Sequence, residues 1–121
     1  MYMHKHLETF DVKPLLEELG EFPELWDRYT LRTTMFPNSP HRDVHDIWLR
    51  YRCWSEFNPD KPEDFANEHQ SIWYSSAYML RNNRQIVKDI FELVGGEQLG
   101  GALTTRIPAG KCVYPHSDAG A

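Results

Sequence analysis

The sequence is poor in the features that mark secreted and membrane proteins. Cys53 and Cys112 are the only cysteines among 121 residues, too few for a disulfide scaffold. We expect free thiols in a reducing cytoplasm, although the sequence leaves a single bridge between them open. No stretch approaches the roughly 18 consecutive apolar residues of a membrane helix, and residues 1–10 lack the apolar core of a signal peptide. These absences predict a cytoplasmic protein without membrane contact.

Basic charge is scarce as well. Thirteen Lys and Arg residues stand against 18 Asp and Glu residues, which gives a net charge of −5. Nonspecific nucleic-acid binding depends on a basic surface, so we expect no nucleic-acid partner. What the chain does have, 40% hydrophobic and 26% charged residues, is typical of a soluble globular protein. Its length suits a single domain over residues 1–121.

His116-Ser117-Asp118 is the motif with the most chemical content. In an extended strand, residues i and i+2 point to the same face, so His116 and Asp118 would project together. An imidazole and a carboxylate placed in this way are two of the three ligands of a 2-His-1-carboxylate site, which holds non-haem Fe(II) in oxygenases. The tripeptide alone is a weak signal. The competing interpretation is a loop in which Asp118 accepts hydrogen bonds from nearby backbone amides.

The residues before this motif favour a strand setting. Residues 103–107 are rich in β-branched side chains, residues 108–110 (Pro-Ala-Gly) are typical of a turn, and residues 112–114 form a short apolar run. They predict two strands joined by a turn, leading directly into the pair His116 and Asp118.

The stretch of residues 100–118, GGALTTRIPAGKCVYPHSD, closely resembles the aspartyl/asparaginyl β-hydroxylase-like family of Fe(II)- and 2-oxoglutarate-dependent dioxygenases. Residues 39–43 (SPHRD) and 46–51 (DIWLRY) are similar to its bacterial and phage members. The resemblance extends from about Trp26 onward and is most specific in the stretch that ends at Asp118.

The resemblance implies a fold, two cofactors and a set of site residues. The fold is part of a double-stranded β-helix (a jelly-roll, cupin-like domain), of α+β or mainly β class with supporting helices. The cofactors are Fe(II) and 2-oxoglutarate, with His116 and Asp118 as metal ligands and the Thr105 hydroxyl near the cosubstrate. The family's second His and its 2-oxoglutarate-binding Arg lie on later strands, past Ala121. We therefore expect the N-terminal portion of such a domain, with its C-terminal strands missing by fragmentation or truncation.

Three functions compete at this point. The first is a hydroxylase that oxidises a C–H bond of an Asp, Asn or Pro side chain, or of a related small-molecule or peptide substrate. The second is a truncated, non-catalytic relative that binds a partner or self-associates through an open sheet edge. The third is a zinc hydrolase that uses His41, His45 and Asp118, which requires a helical turn to bring the two imidazoles to one face.

Periodicity and turn residues predict the remaining elements. We expect a helix that Asp11 caps and Gly20 ends, and a helix that begins at Asn82 or Asn83 and runs to Val94. The other predictions are strands over residues 29–36, 46–52 and 102–107, a short strand within 69–74, a turn over 41–45, and a surface loop over 55–67.

Overall fold

A computed structural model of the chain describes residues 8–34, 38–66 and 69–116. Within these ranges the chain is α+β, as predicted. The helices are α1 (Lys13–Glu21), α2 (Leu31–Thr34), α3 (Ser76–Met79) and α4 (Arg81–Leu93), with 3₁₀ turns at Pro23–Leu25, Trp54–Glu56 and Pro62–Ala66. The strands are β1 (His45–Arg52), β2 (Ser71–Trp73) and β3 (Ala102–Arg106). No helix in the described ranges is long and apolar enough to cross a membrane.

The three strands form a small antiparallel open sheet in the order β2-β1-β3. Asp46 pairs with Thr105, and Trp48 pairs with Leu103. The next β3 residue pairs with Arg50 instead of Leu49, so the ladder contains a bulge at Leu49. The alternation in the sequence predicts that Tyr51 shares a face with Leu49. That prediction is wrong, because the extra residue reverses the phase and brings the Tyr51 ring to 4.8 Å from the Trp48 ring.

One face of the sheet, here called the helix face, is aliphatic. Its buried residues form a single cluster: Leu25, Ile47, Leu49, Ala77 and Leu80. Leu19 of α1 and Val87 of α4 pack against this cluster. The apolar stripe predicted for α4 is core only in part, because Val94 is 58% exposed and Ile90 is 44% exposed.

The opposite face, here called the aromatic face, is built around Trp48. Its buried partners are Phe65 and Tyr74, and the Tyr29 ring stacks on Trp48 at 5.4 Å. The Tyr74 hydroxyl donates to the Arg52 carbonyl at 2.6 Å and accepts the Trp54 amide at 2.8 Å. Burial raises the pKa of Tyr74 to about 12, so this hydroxyl keeps its proton and its role as a donor.

The beginning of α4 is capped by a residue from α1. We predicted Asn82 or Asn83 as the cap, but the cap residue is Leu80, which makes no side-chain cap bond. The buried Glu18 carboxylate accepts the Asn82 and Asn83 amides at 2.8 and 3.0 Å. It also accepts both Asn side-chain amides, at 3.1 and 2.9 Å. A carboxylate here satisfies amides that lack an intrahelical partner.

Two predicted strands are not strands. Residues 31–34 form α2 because the Thr30 carbonyl accepts the amides of Thr33 and Thr34 at 3.1 and 2.8 Å. Both threonine hydroxyls donate to the same carbonyl, at 3.2 and 2.8 Å, and these local bonds compete with an extended backbone. The rest of that prediction, residues 35–36, lies outside the described ranges. Residues 112–114 do not form a strand either. The Tyr114 amide bonds the carbonyl of Pro40, which lies in a loop.

The first predicted helix is present as α1, but its cap residue is Val12 and not Asp11, and it ends at Glu21, one residue past Gly20. The Asp11 carboxylate does accept the Lys13 amide, at 3.0 Å. Two other predictions are confirmed. The turn before the His116 motif is present, with Gly110 at φ +80° and the Lys111 amide bonded to the Pro108 carbonyl at 3.0 Å. Cys53 and Cys112 are free thiols.

Candidate functional site

The segment that leads to His116 lies against the loop that precedes β1. The Tyr114 amide donates to the Pro40 carbonyl at 2.9 Å. The Arg42 guanidinium lies 3.7 Å from the centre of the Tyr114 ring, a cation–π contact. The Tyr114 hydroxyl donates to the Asp43 carboxylate, and this hydrogen bond is the main reason why the pKa of Tyr114 is raised. Three contacts to this loop, at Pro40, Arg42 and Asp43, therefore hold the segment in place.

The loop is itself anchored to the rest of the fold. Arg42 donates to the Ser39 carbonyl at 2.9 Å, and the buried Ser39 hydroxyl donates to the Arg32 carbonyl at 3.0 Å. The same hydroxyl accepts the His41 amide at 3.2 Å. The position of the His41 backbone is therefore set by α2 and by the turn, not by a helix of its own.

His116 is held in a defined tautomer. Its Nδ1 lies 2.9 Å from the Tyr114 carbonyl oxygen. A carbonyl only accepts hydrogen bonds, so Nδ1 carries the proton and the lone pair of the neutral ring is on Nε2. Histidines that bind metals commonly donate their second ring N–H to a carbonyl or a carboxylate in this manner.

His41 is the residue that the structure adds to this site. Its ring centre lies 4.9 Å from that of His116, with the two planes at 69°. The zinc hypothesis paired His41 with His45 on one helical face, but residues 41–43 form a turn and His45 begins β1. The Nδ1 of His45 instead lies 2.6 Å from an Asp27 carboxylate oxygen. The helical premise of that hypothesis is wrong.

Thr105 lies in a polar network at the end of the aromatic face. Its hydroxyl donates to Asp46 at 2.9 Å and accepts a hydrogen bond from Arg32 at 3.2 Å. Arg32 holds the Asp46 carboxylate with two bonds of 2.8 Å each, and Asp46 is only 1% exposed. A fork-to-fork ion pair of this kind is geometrically specific. The contact of Thr105 with a cosubstrate stays a prediction, since the network accounts for its hydroxyl without one.

The Arg32–Asp46 pair was missed in the sequence. The sequence predicts Asp46 as the first residue of one strand, within the stretch that resembles the dioxygenase family, and Arg32 as part of another strand. The available signal was the position of Asp46 two residues before Trp48, which places a carboxylate on the same face as a large buried ring. A carboxylate at such a position requires a cation or several donors. The sequence does not say which of the chain's arginines supplies them.

A cleft of about 460 Å³ opens beside the aromatic face. It lies between two short segments, Arg28–Leu31 and Trp54–Phe57, and its walls are mainly apolar. Trp54 is 56% exposed there, and Tyr29 links the cleft to the buried Trp48 ring. A volume of this size is within the range of small-molecule pockets.

Two of the predicted site residues, His116 and Thr105, fall within the described residues, whereas Asp118 lies outside them. Within residues 8–34, 38–66 and 69–116, no group of three or more His, Cys, Asp or Glu side chains is arranged to hold a metal ion. The described part of the site thus consists of the His41–His116 pair. No family model, curated protein or solved structure matches this chain.

Proposed function

We propose that this chain carries the first part of an Fe(II)- and 2-oxoglutarate-dependent dioxygenase site of the aspartyl/asparaginyl β-hydroxylase-like kind. Its reaction would be the hydroxylation of a C–H bond in an Asp, Asn or Pro side chain, or in a related small substrate. His116 and Asp118 would be metal ligands, and Thr105 would lie near the cosubstrate.

The observation that carries this proposal is the hydrogen bond from His116 Nδ1 to the Tyr114 carbonyl, at 2.9 Å. It leaves Nε2 as the nitrogen with the lone pair and restricts rotation of the ring. His116 therefore fits Fe(II), for which an imidazole with a fixed tautomer is a common ligand.

The arrangement of layers also supports a jelly-roll domain as the finer description of the fold. The core helices α3 and α4 pack on the helix face, and the aromatic face carries the rings together with the polar Asp46–Thr105 pair. In a double-stranded β-helix the interior between two sheets is the usual location of a metal site. The aromatic face is the counterpart of that interior in our proposal.

The roles of the chain's own groups follow from these contacts. Fe(II), when bound, would activate dioxygen as the oxidant, and 2-oxoglutarate would be the two-electron co-reductant that leaves as succinate and CO2, so that one oxygen atom of dioxygen is available for insertion into a C–H bond. His116 would hold the metal through Nε2, with the Tyr114 carbonyl keeping the ring oriented. The Arg32–Asp46 pair would fix the Thr105 hydroxyl, and the walls of the cleft would exclude water from an apolar part of the substrate.

The test is Fe(II)-dependent conversion of 2-oxoglutarate to succinate and CO2 by the natural full-length protein, in air and with ascorbate to keep the iron reduced. We expect turnover that requires Fe(II), and a loss of more than about tenfold in His116→Ala, because one metal ligand is removed. His69→Ala is the matched control, since His69 lies next to β2 and bonds the Ser71 hydroxyl at 3.2 Å. Equal turnover in the wild type and in His116→Ala would contradict the assignment of His116 as a metal ligand.

A second candidate is a binding or self-associating module. β3 is an edge strand, and within the described ranges no other strand pairs with its outer side. Edge strands with open amides and carbonyls are templates for pairing with another chain. This candidate predicts a sedimentation coefficient that rises with protein concentration and is unchanged in His116→Ala. A monomer at all concentrations would contradict self-association through this edge.

A further inference from the structure

We infer that the cleft beside the aromatic face binds a small aromatic carboxylic acid, with the Arg28 guanidinium on the carboxylate and the apolar walls around the ring. The inference does not rest on the proposed function, because neither Fe(II) nor 2-oxoglutarate takes part in the binding. Three observations carry it, namely the aromatic surface of the walls, the contacts that hold the walls in place, and the charge at the cleft.

Both walls of the cleft present aromatic surface. Tyr29 lies in the first segment, and Trp54 and Phe57 lie in the second. The Trp54 side chain is exposed, so much of its apolar surface is in contact with solvent. A flat aromatic ligand between the walls removes this surface from water and adds ring–ring contacts. The volume of about 460 Å³ is sufficient for a ligand of this class.

The walls are held in place by the core of the aromatic face. The Tyr29 ring stacks on the buried Trp48 ring and meets the Tyr74 ring edge-on at 4.7 Å. On the other side, the Trp54 amide donates to the Tyr74 hydroxyl at 2.8 Å, and Phe57 packs against the same aromatic cluster. Both walls therefore share Tyr74 as a support. A cleft that is formed before the ligand arrives loses less entropy on binding.

The charge at the cleft is positive. Arg28 is the one charged side chain among the described residues that line it, and within the described ranges no carboxylate pairs with Arg28. The neighbouring Asp27 carboxylate lies 2.6 Å from His45 Nδ1 instead. Glu56, beside the second wall, has an oxygen 3.5 Å from Arg52 Nε. Apolar walls with one uncompensated positive charge complement a ligand that has an apolar body and one negative charge.

A carboxylate matches this charge better than a phosphate ester does. A guanidinium presents a planar pair of N–H donors, which fits the two oxygens of a single carboxylate. A phosphate monoester carries about −1.5 to −2 charge at pH 7, and the described lining residues supply no second cation for it. The class of ligand is therefore an aromatic carboxylic acid with a single negative charge.

The experiment titrates the nitrogen-15-labelled protein with 3-phenylpropionate, without added metal, and follows the backbone amide and indole N–H resonances. We expect saturable shifts at Trp54 and over residues 28–31. The dissociation constant should be at least about tenfold higher for the neutral 3-phenylpropionamide. Arg28→Gln should raise the dissociation constant of the acid by a similar factor and leave that of the amide unchanged. Trp54→Ala should weaken binding of both compounds, because it removes part of a wall.

Two variants outside the cleft are matched controls. Arg81→Gln removes an exposed guanidinium at the start of α4, and Tyr78→Ala removes an exposed aromatic ring from α3. Neither residue lines the cleft, so both variants should bind the acid as the wild type does. Added sodium chloride should weaken binding of the acid and leave binding of the amide unchanged, since only the acid depends on the charge of Arg28.

Saturable binding of the acid that depends on both Arg28 and Trp54 supports the inference. It is overturned if the shifts lie outside the two walls, or if no saturation occurs up to about 10 mM of the acid. Equal affinities for the acid and the amide also overturn it, because the carboxylate then has no role. Phenyl phosphate, or a short peptide that ends in phenylalanine, binding more than about tenfold tighter than 3-phenylpropionate would assign the cleft to a phosphate ester or to a protein C-terminus instead.

Discussion

The two faces of the sheet depend on different physical properties. The helix face is made of aliphatic side chains, and volume and apolar surface are sufficient to describe it. The aromatic face combines rings with the Arg32–Asp46–Thr105 network, in which every contact has a direction. Substitutions on the first face should change the stability of the fold alone. Substitutions on the second should also change the geometry of the residues beside the candidate site.

The first prediction concerns Leu80, which is fully buried on the helix face. Leu80→Ala leaves a cavity among aliphatic residues, so we expect the free energy of unfolding to fall by about 4 kcal/mol, within the usual span for buried leucines. Urea denaturation measures this loss. Leu93→Ala at the other end of α4 is the control, because Leu93 is 42% exposed. Equal losses in the two variants would mean that the helix face is not a core.

The second prediction concerns Asp46 on the aromatic face. Asp46→Asn removes the charge that pairs with Arg32, and we expect a loss of about 3 kcal/mol, the lower limit for a broken buried pair, because the Arg32 side chain is 19% exposed. Asp27→Asn serves as the control, since the Asp27–His45 pair is 38% exposed on both sides and should contribute under about 1 kcal/mol.

The double variant Arg32→Met with Asp46→Leu sharpens this prediction. Both charges are then absent, so part of the lost stability should return if the damage in Asp46→Asn comes from an unpaired guanidinium. A double variant less stable than either single variant would indicate that the hydrogen-bond geometry itself, including the bond to Thr105, stabilises the aromatic face.

The third prediction concerns Glu18, the polar exception on the helix side of the molecule. Glu18→Gln puts an amide where four N–H groups converge, and we expect a loss of about 1–3 kcal/mol at pH 7. Glu17→Gln is the control, because Glu17 is exposed and makes only a 3.8 Å contact with Lys13. A loss as large in Glu17→Gln would argue against a special role for the Glu18 cap.

The same residue makes stability depend on pH. Burial raises the pKa of Glu18, but hydrogen bonds from the Asn82 and Asn83 amides outweigh burial and hold the pKa below its ordinary value of 4.5. The stabilising contribution is therefore complete above about pH 4.5 and is lost as the pH falls below it towards the folded-state pKa. Thermal melts of the wild type should lose more stability between pH 6 and pH 3 than melts of Glu18→Gln.

The elements with a regular apolar or β-rich pattern within their own sequence were predictable. α1, α4, β1 and β3 each present an apolar periodicity or a β-rich run with a turn at one end. α2 was not predictable, because the alternation in its sequence favours a strand. The Thr30 carbonyl accepts four hydrogen bonds in this segment, and these bonds stabilise the helix instead. The bulge at Leu49 was not predictable either, since no residue type marks the position at which a β-ladder gains an extra residue.

The candidate site was predictable in its local part only. His116 and its neighbours form a contiguous motif, so their chemistry can be read along the chain. The approach of His41 depends on a tertiary contact between the Tyr114 segment and the Pro40 loop, which periodicity does not contain. The cap of α4 by Glu18 was missed for the same reason.

The Glu18 cap also couples the folding of α1 to the folding of α4, two helices that are far apart in the sequence. Its partners Asn82 and Asn83 lie 64 and 65 positions later in the sequence. The first turn of α4 therefore cannot complete its hydrogen bonds until α1 has docked, so the two helices should open and close together as one cooperative unit. Exchange of the Asn82 and Asn83 amide protons with solvent then reports on the undocking of α1, a segment that contains neither residue.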